Sequence, residues 1–110
     1  MALRDAFRRR GPERGRRAVW SGRVVAEAPS TIRVDGREYF PPDAVAWDFL
    51  VPSEHTSVCP WKGTATYFDV VDGERRLPGA AWSYRSPTPA AADIAGHVAF
   101  WRGVRVEPTV

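Results

Sequence analysis

Short turn signals recur along this chain at intervals that leave little room for helices. Ser21-Gly22, Pro29-Ser30 and Asp35-Gly36 interrupt runs that carry Val19, Val24, Val25, Ile32 and Val34. Glycine supplies the positive φ that tight hairpins demand, and β-branched side chains suit a pleated, half-buried surface. The spacing predicts strands over 18–27, 31–34 and 37–40. Pro41-Pro42-Asp43 then opens a turn and a short helical stretch through Trp47, after which Phe49-Leu50-Val51 extends again and Pro52 to His55 is a loop. A strand pair is expected over Thr64 to Val71 and Ala80 to Tyr84, joined through Asp72-Gly73 and Leu77-Pro78-Gly79. Pro87 to Ala92 reads as a connection with a helical turn, and Val98 to Trp101 and Val104 to Val106 close the domain around Arg102-Gly103. Turns every eight to twelve residues or so define a mainly β protein: a small two-sheet antiparallel sandwich or partly open barrel with one short helical turn.

With 110 residues there is material for one hydrophobic core. The charge is unevenly spread. Residues 1–17 hold seven arginines against Asp5 and Glu13, a net +5, so the remainder of this +3 chain carries −2. The high isoelectric point therefore belongs to a basic arm over residues 1–17, expected to be flexible and solvated, and the single domain is expected over 18–110. Such an arm can brush phosphate backbones electrostatically, but Phe7 is its only ring, and nucleic-acid binding is not expected. A turn of helix is expected from Leu3 to Arg9, ending at Gly11-Pro12. No stretch approaches the ~20 apolar residues of a membrane helix, and the N-terminus has no apolar leader core. One cysteine, Cys59, allows no internal disulfide and no multi-cysteine zinc site, and His55 and His97 could contribute to a metal site only with carboxylate help. The expectation is a cytoplasmic protein without metal or cofactor, monomeric or weakly dimeric.

The segment Cys59-Pro60-Trp61-Lys62-Gly63 is the first candidate site. Lys62 is the only lysine beside fifteen arginines, and it stands three residues after the only thiol. An ammonium is a compact charge whose pKa responds to burial, which a guanidinium's does not. A cation nearby also favours a thiolate, so Cys59 is the candidate nucleophile if the protein is an enzyme. No histidine stands at a recognisable spacing to act as its base, and a lone cysteine is equally a small buried hydrophobe. Trp82-Ser83-Tyr84 is the second feature: on a strand, Trp82 and Tyr84 present their rings to one side, with Tyr67 on the preceding strand able to join them. Rings with polar tips suit a planar or sugar-like ligand, and they suit an aromatic core equally. In the third, Ile94 to Trp101, His97 is expected to be a structural hydrogen-bonding residue.

Tyr39-Phe40-Pro41-Pro42, Cys59-Pro60-Trp61-Lys62-Gly63 with Ala65 and Tyr67, Ala81-Trp82-Ser83-Tyr84, and Ile94-Ala95-Gly96 leading to Val98-Ala99-Phe100 together resemble the bacterial family known as domain of unknown function 427. The resemblance spans about residues 18–106. It implies a fold similar to the β-tent, two antiparallel sheets meeting at an angle over a cleft. Methionine-R-sulfoxide reductases and the drug-binding domain of cereblon share that tent; they commonly carry a four-cysteine zinc, which a single cysteine cannot make. Cereblon's pocket is walled by tryptophans, which by analogy suggests an aromatic cleft around Trp82. Members of the family often place an acidic residue before the valine that follows the Pro-rich turn, where this chain has Ala44, with Asp43 one place earlier. The leading expectation is a domain that binds a small molecule, with Lys62 on an anionic or carbonyl group and Trp61, Tyr67, Trp82 and Tyr84 walling the cleft. The alternatives are a thiol-dependent enzyme using Cys59 and an adaptor working through the Arg-rich arm.

Overall fold

A computed structural model describes residues 15–109. The helix turn expected at Leu3 to Arg9, and most of the basic arm, lie outside the described residues. The described residues are mainly β, with nine strands in three antiparallel sheets and no closed barrel.

Strands β1 (Arg16–Trp20) and β2 (Arg23–Ala28) form a hairpin across Ser21-Gly22, whose φ angles of 57° and 74° are the pair a tight primed turn requires. The expected strand 18–27 is thus two strands hinged at that turn, and the first begins at Arg16, within the stretch read as arm. β3 (Ile32–Val34) and β4 (Arg37–Tyr39) form a second hairpin across Asp35-Gly36, again with positive φ at both turn residues, 52° and 80°. β5 (Leu50–Cys59), β6 (Gly63–Asp72), β7 (Arg75–Ser83) and β8 (Val98–Phe100) make a four-stranded meander, and β9 (Arg105–Pro108) returns to pair with β1 in the order β2-β1-β9.

Four features differ from expectation. There are three sheets rather than two, because β3 and β4 are three residues each and pair only with one another. They are tied to the larger sheet by a single bridge, in which Phe40 and Val98 exchange backbone hydrogen bonds of 2.8 and 2.9 Å. There are also three short 3-10 segments rather than one helical turn, at Pro42–Ala44, Trp47–Phe49 and Pro89–Ile94. Pro52 to His55 lies within β5 and not in a separate loop. The register against β6 shifts between Pro52 and Thr56, since proline has no N–H to continue the ladder.

Leu77-Pro78-Gly79 likewise sits inside β7, as an irregularity in its pairing with β6. The Gly79 amide, freed from the ladder, donates to Asp69 Oδ1 at 2.8 Å, and Arg76 donates to Asp69 Oδ2 at 2.6 Å.

Strand alternation divides the interior in two. Phe40, Phe68, Val70, Ala81, Val98 and Phe100 face Ala18, Val25 and Ala26 of the β1–β2 hairpin. Their neighbours Tyr39, Trp82 and Ala99 turn the other way and gather with Tyr84, Ala65, Ala91 and Ile94. The second cluster is where the polar groups are.

Candidate functional site

The turn from β5 to β6 carries Cys59-Pro60-Trp61-Lys62. Pro60 sets the first turn angle, and the Lys62 amide closes the turn on the Cys59 carbonyl at 3.2 Å. Gly63 follows with φ +115°, a conformation rarely open to a side chain, and a Cβ there would stand 3.4 Å from Pro87 Cα. Thr88 fixes the turn from outside: its amide donates to the Lys62 carbonyl at 3.0 Å, and its hydroxyl donates to the Trp61 carbonyl. The backbone is thereby set so that the Lys62 side chain runs inward, and the residue is only 7% exposed.

Its ammonium donates to Asp35 Oδ2 at 2.6 Å. Asp35 stands at the tip of the β3–β4 hairpin, where an aspartate tolerates positive φ, and its side chain is 58% exposed. The Nζ atom also lies 5.7 Å from the centre of the Tyr84 ring and 5.1 Å from that of Trp61. Burial disfavours the ammonium, but the hydrogen bond to Asp35 and the facing Tyr39, Tyr84 and Cys59 outweigh it, so the pKa of Lys62 rises. The same hydrogen bond, together with the charge of Lys62, holds the Asp35 carboxyl below the ordinary carboxylate range. Lys62 is therefore a charged donor at neutral pH, not a free amine.

Around this pair opens a cavity of about 190 Å³ lined by Asp35, Arg37, Tyr39, Lys62, Tyr67, Trp82, Tyr84 and Trp101. Trp82 is the centre of the ring cluster. It makes edge contacts with Tyr39 at 6.3 Å and Trp101 at 5.5 Å, and its indole N–H donates to the Tyr39 hydroxyl at 3.2 Å. The Trp101 indole N–H donates to the Gly79 carbonyl at 2.7 Å, so the irregularity in β7 anchors one wall. Tyr67 shares a 3.0 Å hydrogen bond with Ser57. Burial pushes the Tyr39 and Tyr84 phenols up, so both keep their protons and remain donors. The Arg37 guanidinium lies 5.8 Å from the ring centres of both Trp82 and Trp101.

Four of the five expected ligand-contacting residues, Lys62, Tyr67, Trp82 and Tyr84, thus share one cavity. Trp61 does not line it: the residue is 44% exposed and touches the site at its edge, through the Lys62 ammonium and the Asp35 carboxylate. Cys59 is half-buried against the same aromatic cluster and lines no part of the cavity. Among the described residues, no hydrogen bond joins its thiol to either histidine. His97 sits beside the Ala95 carbonyl at 3.1 Å, as a structural residue would, and the His55 ring lies 4.6 Å from that of Tyr67. Asp43, the carboxylate displaced by one place, is exposed in the 3-10 segment Pro42–Ala44 and lines no part of the cavity.

Sequence reasoning missed Asp35, Arg37, Tyr39 and Trp101 as cavity residues. In the sequence Asp35 is legible only as a hairpin signal. The alternation Arg37, Tyr39 on a strand leaving that hairpin was the signal available for the other two hairpin residues. Among the described residues, no three His, Cys, Asp or Glu side chains gather in a way that could hold a metal ion. No helix among them is long and apolar enough to cross a membrane.

Comparison with known proteins places the chain in a family. Residues 12–110 match the family model described as Domain of unknown function (DUF427), and the chain belongs to that family. No curated protein matches it.

Proposed function

We propose that this domain binds a small organic molecule in the cavity beside Lys62. The carrying observation is a buried, charged ammonium facing a cavity walled by Tyr39, Tyr67, Trp82, Tyr84 and Trp101. An ammonium has three N–H donors, and Asp35 engages one. The others, with the Tyr84 hydroxyl and the Arg37 guanidinium, present donors to an incoming carbonyl or anionic oxygen. The rings give a planar or sugar-like body flat apolar area, with polar tips to orient it. Ring walls that carry a few convergent polar groups are a usual feature of small-ligand sites.

Lys62→Met tests this reading. Methionine replaces the stem with a flexible apolar chain, and Asp35, being exposed, is left solvated, so the domain should stay folded. A thermal-shift screen of several hundred metabolites is the measurement. A ligand at about 100 times its Kd stabilises the folded state by about 2.7 kcal/mol, which raises the melting temperature of so small a domain by several degrees. The expected result is a rise in the parent protein that is lost in Lys62→Met. A ligand that stabilises both proteins equally would overturn the assignment to this cavity.

A further inference from the structure

A second cavity, of about 180 Å³, lies beside the β3–β4 hairpin and is lined by Arg16, Arg33, Gly36, Arg37, Glu38, Phe100 and Val106. Its walls come from three elements: Arg16 and Val106 from the paired strands β1 and β9, Arg33, Arg37 and Glu38 from the hairpin, and Phe100 from β8. Three guanidiniums and one carboxylate give it a net charge of +2. We propose that Arg16, Arg33 and Arg37 form a binding site for a tetrahedral oxyanion, a phosphate group, adjoining the aromatic cavity and sharing Arg37 with it.

The carboxylate does not neutralise the site; it positions it. Glu38 stands opposite Arg33 in the strand register. One of its oxygens accepts from Arg33 at 2.6 Å and lies 3.8 Å from Arg16 Nε, while the other accepts from the Thr31 hydroxyl. Its side chain is only 10% exposed, so this anchor is firm. It draws two guanidiniums from different sheets to one place and leaves most of their five N–H donors uncommitted. Arg37 forms no ion pair among the described residues, and contact with the faces of Trp82 and Trp101 leaves its in-plane donors free. Guanidinium forks match phosphate oxygens in geometry, and an excess of two positive charges matches a phosphate dianion. Phe100 and Val106 supply an apolar wall that limits solvent screening at the floor.

The test is titration of the whole chain with inorganic phosphate, followed by amide NMR at constant ionic strength with chloride as the compensating anion. Phosphate stabilises many proteins by exclusion from their surface, so a site-resolved signal is needed instead of a melting temperature. The expected result is a saturable shift of the Gly36, Arg37 and Arg33 amides. It should be weakened about tenfold or more in Arg16→Gln/Arg33→Gln, because charge-assisted hydrogen bonds are lost. Arg102→Gln, an exposed arginine elsewhere, and Lys62→Met should leave phosphate binding unchanged, which separates this site from the aromatic one. Phenyl phosphate, titrated in parallel, distinguishes sources: equal affinity assigns a free ion, and a tighter ester assigns a phosphate carried on a ring that also enters the neighbouring cavity. Shifts that do not saturate, or an affinity indifferent to the Arg16 and Arg33 substitutions, would overturn the proposal.

Discussion

Lys62 is held by two opposing effects. Removing an ammonium from water is costly, and only a carboxylate at hydrogen-bond distance makes it tolerable. Asp35 supplies that carboxylate, from a hairpin tip that keeps its other face in water. The pair ties stability to pH at both ends. The Asp35 carboxyl is held below its ordinary value, so its contribution is complete above about pH 4 and is lost as pH falls through the lower folded-state value. The Lys62 ammonium is held above its ordinary value, so its contribution is complete below about pH 10 and is lost as pH rises through the higher folded-state value. Asp35→Asn should therefore flatten the fall in melting temperature on the acid side, and Lys62→Met should flatten it on the alkaline side. Thermal melts across pH check both; identical slopes in the parent and Asp35→Asn would mean the pair is not formed in solution. At neutral pH, Lys62→Met should change the unfolding free energy by no more than about 1 kcal/mol, since well-packed apolar replacements of buried charges are commonly neutral. Cys59→Ser should leave ligand stabilisation by the cavity intact, because the thiol lines none of it; loss of that stabilisation would reopen the thiol-dependent reading.

At the scale of elements, two backbone irregularities place the site. The first is the Cys59–Gly63 turn. Gly63→Ala forces a side chain into φ +115° and should destabilise the domain by about 1–2 kcal/mol, measured by urea unfolding. The second is Pro78-Gly79 in β7. Asp69→Ala leaves the Gly79 amide without its acceptor and should cost about 1–3 kcal/mol. That loss should also perturb the Trp101 indole, whose N–H rests on the Gly79 carbonyl. The hairpins at Ser21-Gly22 and Asp35-Gly36 were legible in the sequence because turn chemistry is local: both residues of each turn must adopt positive φ. The irregular strands were not legible. Pro52 and Pro78-Gly79 carry the same residues as loops, and only pairing partners in β6 decide that they continue a strand. The third sheet is missed for a related reason, since no local signal shows that β3 and β4 pair only with one another and meet β8 through one bridge from Phe40 to Val98.

Across the whole molecule, the four-stranded sheet is covered on both faces along β7 and β8, one face under the β1–β2 hairpin and the other under the β3–β4 hairpin and the Pro89–Ile94 segment. The second face is both core and cavity wall. Trp82 is 8% exposed yet lines the cavity, so Trp82→Ala should cost about 3–5 kcal/mol of stability and would confuse folding with binding. That double role explains why Trp82 and Tyr84 read equally well as core or as site in the sequence: alternation fixes which side a ring takes, not whether that side stays open. Lys62 was legible by its singularity among fifteen arginines. Asp35 was not, because its position over the cavity depends on how a separate hairpin docks, and no local pattern encodes that.

The cavity has a direct reporter. Five indole N–H groups give five separable proton–nitrogen signals, and two of them, from Trp82 and Trp101, belong to residues that wall the cavity. The measurement is an NMR titration with small aromatic carboxylates and amides, on the parent protein and on Lys62→Met. Saturable movement of the Trp82 and Trp101 signals, with Trp20 and Trp47 still, and its loss in Lys62→Met, is the predicted result. Movement confined to Trp20 or Trp47, or identical titrations in the two proteins, would contradict a ligand site at Lys62.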